Sequence, residues 1–253
     1  MFVEERLESI VALLNKFGKV KVKELSEKFA VTEDCIRKDL ASLEKKGMLK
    51  RTYGGAVIFR ANVHTTEVHS RKNVDVAAKK SIAQKAIALI KEQDMVFLDI
   101  STSNIELAKL LAVSKKNITV VTNMIDILVL LAQKSNLKVV FVGGALNVER
   151  DGFWGSMTLD LISKCKPDIA FVGAVGVDIY ENSVSTYDID DGINKAMIIK
   201  ASKNTYLVAE TSKFSKDGNY NYAALDDLTG VIINEPLTLE LQEVLTDHGV
   251  AIL

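Results

Sequence analysis

Cysteine is nearly absent from this chain of 253 residues: Cys35 and Cys165 stand far apart, without the short spacings of a metal knuckle. That excludes a disulfide scaffold and fits a reducing, cytoplasmic setting. Histidine is as scarce. His64 and His69 have no third ligand nearby, so they read as linker residues and no metal site is expected. The aromatic residues are few and scattered, and Trp154 among them reads as packing. Charge of one sign is lacking too. The formal net charge is −1, so the whole chain does not advertise a nucleic-acid partner. Long apolar runs are missing. The best candidate, MIDILVLLA at residues 124–132, carries Asp126 and falls far short of the roughly 20 residues that cross a bilayer. The N-terminal MFVEERLESI places acids and Arg6 where a signal peptide needs an apolar core, so a cytoplasmic protein is expected.

The near-neutral total hides a split. Residues 1–60 hold 13 Lys+Arg against 9 Asp+Glu, a balance of +4; the remainder holds 19 against 24, a balance of −5. A basic head on an acidic body points to an anionic partner for the head. Leu7, Ile10, Val11 and Leu14 recur with the spacing of an amphipathic helix over residues 4–16, and Gly18 supplies its stop. Val22, Leu25 and Phe29 give a second short helix, and Val31-Thr32 a tight turn. Thr32 is placed to cap a third helix whose positive end suits Glu33 and Asp34. Ile36, Leu40 and Leu43 turn to the core, which leaves Asp34, Cys35, Arg37, Lys38 and Ala41 outward. Gly47 ends this helix. Residues 48–57 then read as a hairpin carrying Lys50, Arg51, Thr52 and Tyr53, with Gly54-Gly55 in or beside its turn.

Two short helices joined by a tight turn make a helix-turn-helix candidate, whose second helix enters the major groove. Arg37 is then placed to read guanine edges. Lys38, Lys50 and Arg51 are placed to neutralise phosphates, which adds affinity without sequence information. The competing reading is a small helical cap with a solvated charged face. Periodicity alone does not separate the two.

From residue 76 a helix is expected to about residue 92, and strands and helices then alternate. Strands are expected at 96–100, 118–122, 138–144, 168–176, 205–210, 230–234 and 250–253; helices at 104–112, 124–133, 156–164 and about 188–203. Continuous apolar strands alternating with helices imply a mostly parallel sheet covered on both faces. The strand ends share a chemistry: Asp99, Ser101, Thr102 and Ser103; Thr122-Asn123; Gly143-Gly144; Gly173 and Gly176; Glu210, Ser212 and Lys213. Small and hydroxyl residues thus gather at the carboxyl edge, where open α/β sheets bind ligands and helix N-termini suit phosphate. Lys195 or Lys213 would add positive charge. The competing reading makes these residues ordinary caps and turns.

The stretch VTEDCIRKDLASLEKKGMLKRTYGGA, residues 31–56, resembles the DeoR family of bacterial transcription regulators. The match is carried by Val31, Ile36, Arg37, Asp39, Leu40, Leu43, Gly47, Leu49, Arg51, Gly54, Gly55 and Ala56. Thr32, Cys35, Lys38 and Tyr53 depart from the family pattern of Ser, Thr, Arg and His. Thr32 and Lys38 keep the cap and the charge; Cys35 and Tyr53 change hydrogen-bonding groups and so bear on operator sequence. The body resembles the family's effector domain, itself similar to ribose-5-phosphate isomerase, through Val121-Thr122-Asn123, Gly143-Gly144, Gly155 and Ser212-Lys213-Phe214. Arg71 and Lys79 fit the family's spacing before the first strand. Two loops depart: Asp99-Ile100-Ser101-Thr102-Ser103 has lost a glycine, and Ser183-Val184-Ser185-Thr186 stands for the family's G-L-T-T.

The resemblance implies an α/β protein. A winged helix-turn-helix at 1–58 is joined by a linker at 59–75 to a Rossmann-like domain at 76–253. It implies a regulator of carbohydrate-metabolism genes, expected to repress, which binds an operator in double-stranded DNA and responds to a phosphorylated sugar. A homo-oligomer, dimer or tetramer, is expected, since one small head contacts too few bases for useful specificity. DNA contacts are expected from Thr32, Glu33, Asp34, Cys35, Arg37, Lys38, Lys50, Arg51, Tyr53, Gly54 and Gly55. Effector contacts are expected from Arg71, Lys79, Asp99, Ser101, Thr102, Ser103, Thr122, Asn123, Gly143, Gly144, Ser185, Thr186, Lys195 and Lys213. No cofactor and no catalytic residue are implied. The alternative, an isomerase with an accessory head, would need an acid and a lysine; Lys195 fits, but the loop GAVGVD offers only Asp178.

Overall fold

The computed structural model describes residues 2–58, 61–62, 71–132, 137–147 and 152–253. The linker residues His64, Thr65, Thr66 and His69 lie outside them. The chain forms two compact units, one of residues 1–61 with 239–241, the other of residues 62–238 with 242–253.

The first unit contains α1 (Val3–Phe17), β1 (Lys19–Lys21), α2 (Val22–Phe29), α3 (Glu33–Lys45), β2 (Leu49–Thr52) and β3 (Gly55–Ile58). Gly18 closes α1 in the left-handed region at φ 67°, and Thr32 caps α3 by accepting from the Cys35 amide. Ile10, Leu14, Ile36, Leu40, Leu43 and Leu49 are almost wholly buried and pack the three helices together. Burial on that scale contributes roughly 1.5–3 kcal/mol per large side chain. The three-residue β1, too short to show in the sequence, turns the expected hairpin into a three-stranded sheet of order β1-β3-β2.

The second unit runs through β4 (Ala61–Asn62), α4 (Val76–Leu89), β5 (Met95–Leu98), α5 (Thr102–Val113), β6 (Ile118–Thr122), α6 (Ile125–Leu131) and β7 (Leu137–Phe141). The hairpin β8 (Ala145–Asn147) and β9 (Gly152–Trp154) leads to α7 (Ser156–Lys164) and β10 (Ile169–Gly173). Then come β11 (Gly176–Asp178), β12 (Ser183–Thr186), α8 (Ile189–Ala201), β13 (Thr205–Val208), β14 (Lys216–Asp217), β15 (Tyr220–Ala223), β16 (Gly230–Ile232), α9 (Leu239–Asp247) and β17 (Ala251–Ile252).

The main sheet is parallel throughout, in the order β17-β16-β13-β10-β5-β6-β7. Its central strands are apolar on both faces; Val96, Phe97, Leu98 and Phe171 are fully buried. From β5 the chain steps outward through β6 to β7, then returns to β10 and steps out the other way. The order therefore reverses between β5 and β10, where doubly wound sheets open a crevice beyond the strands' carboxyl ends. Two expectations need correction. The strand read over 168–176 ends at Gly173, and Gly176 opens an antiparallel sheet of order β11-β12-β15. Ser183–Thr186, read as a loop, is the central strand of that sheet. The helix α9 was not anticipated.

Candidate functional site

In the first unit α3 presents Thr32, Glu33, Asp34, Arg37 and Lys38 to solvent. Arg37 does not stand free. Its guanidinium donates to Glu33 Oε2 at 2.5 Å and to Asp34 Oδ1 at 2.6 Å. Two of its five N–H groups are thereby engaged, so base reading competes with these carboxylates. Cys35 and Ala41 are half-buried, a correction to the outward placement expected of both. Arg6 reaches across from α1, placing Nη2 3.3 Å from Cys35 Sγ and Nε 2.6 Å from Asp39 Oδ2, in an ion pair almost wholly buried. Hydrogen bonding to Asp39 raises the Arg6 pKa. Sequence reasoning passed over this pair.

On the wing, Tyr53 is fully exposed beside Gly54, whose φ of 81° suits only glycine's freedom. Gly55 is buried, and a Cβ there would meet the Val20 carbonyl oxygen at 2.1 Å. It brings β1 and β3 together, so its expected DNA contact is corrected to a packing role. Arg51 is tied to α3: its amide and guanidinium donate to Glu44 at 2.9 and 2.7 Å, which lowers the Glu44 pKa. Lys38 and Lys50 are exposed and form no ion pair among the described residues.

In the second unit a cavity of about 340 Å³ lies beyond the carboxyl ends of β5, β10 and β13, at the reversal of strand order. Ser101, Thr102 and Ser103 line it at the start of α5, where Ser101 caps by accepting from the Ser103 amide at 3.3 Å. Among the described residues, Arg71, Lys79, Lys213 and Lys216 line the same cavity, together with Asp75 and Glu210. Lys79 is buried. Its ammonium donates to the Arg71 and Val74 carbonyls at 2.5 and 2.6 Å and lies 3.9 Å from Glu210, and burial lowers its pKa. Lys213, in the short 3-10 helix Thr211–Ser215 that follows β13, makes no side-chain hydrogen bond or ion pair among the described residues. Burial, opposed by Glu210 and reinforced by Arg71, Lys216 and Lys79, lowers its pKa to about 8. Desolvated cations around a helix N-terminus make an anion cradle suited to phosphate.

A smaller compartment of about 30 Å³ shares Arg71, Ser101, Ala174 and Tyr187 with the main cavity and reaches Thr186, Asp191 and Lys195. It has room for one or two water-sized groups. At its floor Lys195 pairs with Asp99, lies 3.5 Å from Asp191 Oδ1, and is almost wholly buried. Thr186 Oγ1 donates to Asp191 Oδ2 at 2.5 Å, while the Gly173 amide and Asn104 Nδ2 donate to Asp99. Asp99 and Lys195 thus brace each other under the cavity.

Other residues expected at the effector lie outside both spaces. Thr122 Oγ1 donates to the Leu98 carbonyl at 2.7 Å and accepts from the Met124 amide, so it ties β6 to β5. Asn123 donates to the Phe153 carbonyl. Gly144 backs onto Thr158 and the Trp154 carbonyl, and Gly143 offers its carbonyl to Thr158. Ser185 links the Gly176 carbonyl to the Gly218 amide. Asp178, the acid weighed for an isomerase and not for the effector, accepts from the Tyr180 and Glu181 amides and shapes a turn. Conversely, Asp75, Tyr187, Asp191 and Lys216 line the spaces and were not expected; Gly173, Glu210 and Ser212 had been legible as strand-end residues.

Two described domains match the chain: the DeoR-like helix-turn-helix domain over residues 6–61 and the DeoR C terminal sensor domain over residues 74–235. The chain belongs to the DeoR family. It is 30% identical over 246 residues to the glycerol-3-phosphate regulon repressor of Escherichia coli (strain K12), covering 97% of this chain and 96% of that protein. It is 31% identical over 252 residues to the uncharacterized HTH-type transcriptional regulator YulB of Bacillus subtilis (strain 168), covering 100% and 96%. Among solved structures, ribose 5-phosphate isomerase A from Methanocaldococcus jannaschii aligns with 54% of this chain and 53% of its own at 14% identity and TM-score 0.40. This DeoR protein is a DNA-binding transcriptional regulator, with the head match spanning α3 and the wing and the sensor match taking in every residue described at the cavity except Arg71.

Proposed function

We propose that a phosphorylated sugar or related metabolite occupies the cavity beyond β5, β10 and β13, and that its binding modulates operator binding by α3 and the wing. The chain acts as a repressor of carbohydrate-metabolism genes in the cytoplasm, as a homo-oligomer whose paired heads engage paired half-sites. One observation carries the effector reading: Lys79 and Lys213 line one cavity with Ser101–Ser103 at the N-terminus of α5, at the strand-order reversal. The metabolite works by binding the DNA-competent and incompetent arrangements unequally. The lysine that an isomerase would require, Lys195, is engaged with Asp99, and Asp178, the acid the sequence offered, is engaged in a turn.

Fluorescence anisotropy on the DNA upstream of the chain's own gene, against a scrambled duplex and with a sugar-phosphate panel, tests both halves. Selective binding altered by one compound is expected; equal binding to both duplexes contradicts the operator reading. Arg37→Ala is expected to cost about 1–3 kcal/mol on the operator and to relax specificity. Undiminished discrimination against random DNA removes Arg37 from base readout.

Lys213→Ala is expected to leave DNA binding intact and shift the metabolite dose–response at least ten-fold, about 1.4 kcal/mol. In the wild type, metabolite affinity falls as pH rises past about 8, because Lys213 then loses the charge that attracts the anion. A phosphate monoester is already dianionic there, its second pKa being about 6, so the loss comes from the protein. A bound dianion shifts the fall upward. Affinity that is flat between pH 7 and 9.5 excludes Lys213 from the contact.

A further inference from the structure

An amine, that of Lys213, lines the same cavity as the hydroxyl residues at the start of α5. Lys213 Nζ has no hydrogen-bond or ion-pair partner among the described residues, while Lys79 is held by two carbonyls. Both share a cavity with Ser101–Ser103 and the start of α5. We infer that Lys213 is a site of acylation by acyl phosphates: the cradle binds the phosphate group and presents the adjoining acyl carbon to the Lys213 amine. This rests on the proposed reading of the cavity as a phosphate site.

The chemistry balances without a further reactant. The neutral amine attacks the acyl carbon, the N–C bond forms, and the C–O bond to phosphate breaks. The phosphate leaves with its electron pair as inorganic phosphate. Of the two protons the ammonium group gives up, one stays with the phosphate and one goes to water. The surroundings supply the neutral amine. With its pKa lowered to about 8, Lys213 is roughly one-quarter free base at pH 7.5, against about one in a thousand for an ordinary lysine. The product amide lacks the positive charge that the effector's phosphate would meet, so an acylated chain keeps its head and loses its metabolite response. The same site would then register acyl phosphates through a lasting mark and sugar phosphates through reversible binding.

The experiment treats the full chain with acetyl phosphate at pH 7.5 and follows acetylation of each lysine by peptide mass spectrometry. Binding of inorganic phosphate is measured separately by calorimetry. Lys213 is expected to react about ten-fold faster than the exposed Lys200, to saturate with acetyl phosphate, and to be slowed by inorganic phosphate. With acetic anhydride, which carries no phosphate, saturation and the slowing disappear. A Lys213 rate equal to that of Lys200, or one indifferent to phosphate, overturns the inference. If phosphate binds all the same, the cavity's anion role stands and only the acylation falls. If phosphate does not bind, both readings fall together.

Discussion

Replacing Arg6 by alanine is expected to unfold the DNA-binding unit rather than merely weaken it. Arg6 and Asp39 are almost wholly buried, joined by contacts of 2.6 and 3.2 Å that tie α1 to α3. Removing one partner of such a pair leaves a buried charge without its counter-charge, at a cost of about 3–5 kcal/mol. That approaches the whole stability of many small domains, about 5–15 kcal/mol. Hydrogen exchange of the α3 amides in the full chain reads the effect locally, apart from the larger unit. Strongly increased exchange across α3 is expected, with operator binding lost. Arg6→Met with Asp39→Leu removes both charges at similar volume, and should recover much of the protection. A single variant whose protection matches wild type refutes the assignment.

Lys195→Met should destabilise the sensor domain by a comparable amount, about 3–5 kcal/mol. Asp99 would remain with the Gly173 amide and Asn104, but without its cation and with Asp191 nearby. Burial already raises the Asp99 pKa, and loss of Lys195 raises it further. The sign follows. A carboxyl whose folded pKa exceeds its unfolded value of about 3.9 favours the folded state fully only below that value. The variant therefore loses stability as pH rises from about 4 through the new folded pKa. Urea denaturation from pH 5 to 8 should show a deficit that widens with pH. Lys195→Met with Asp99→Asn should narrow it and flatten its pH dependence. A deficit independent of pH means that Asp99 does not carry the unpaired charge.

The large elements were legible because their signals are local. Ile36, Leu40 and Leu43 share one face at helical spacing, Thr32 caps, and residues 118–122 are a β-branched run, ITVVT, that became β6. What escaped depends on distant pairing. β1 is three residues held by β3, more than thirty positions away by register. β11, β12 and β15 form a small sheet whose register shifts at Val184 and Ser185, and nothing in Ser183–Thr186 alone separates a strand from a loop. The site was legible where it follows the chain direction: strand-end residues such as Ser101, Ser103 and Lys213 reach the cavity because β5 and β13 end there. Thr122, Asn123, Gly143 and Gly144 end strands too, but β6 and β7 lie on the outer side of the reversal. Sequence shows that a strand ends in polar residues; only the strand order shows which ends meet. The Arg6–Asp39 pair had a trace in the sequence. Arg6 lies four residues before Ile10 and Asp39 three after Ile36, each a charge on an apolar stripe, and two such misplaced charges of opposite sign suggest each other.

The carboxylates around Arg37 and Arg51 govern the ionic atmosphere of the DNA-binding face. Each guanidinium brings a counter-charge from its own chain, Glu33 and Asp34 for one and Glu44 for the other. When Arg37 turns to a base or Arg51 to a phosphate, part of what it leaves behind is a fixed carboxylate that attracts cations from solution. DNA sheds counterions as the head docks, while these carboxylates take some up, and the two flows partly cancel. The head's grip on DNA should therefore vary less steeply with ionic strength than its count of lysines and arginines suggests.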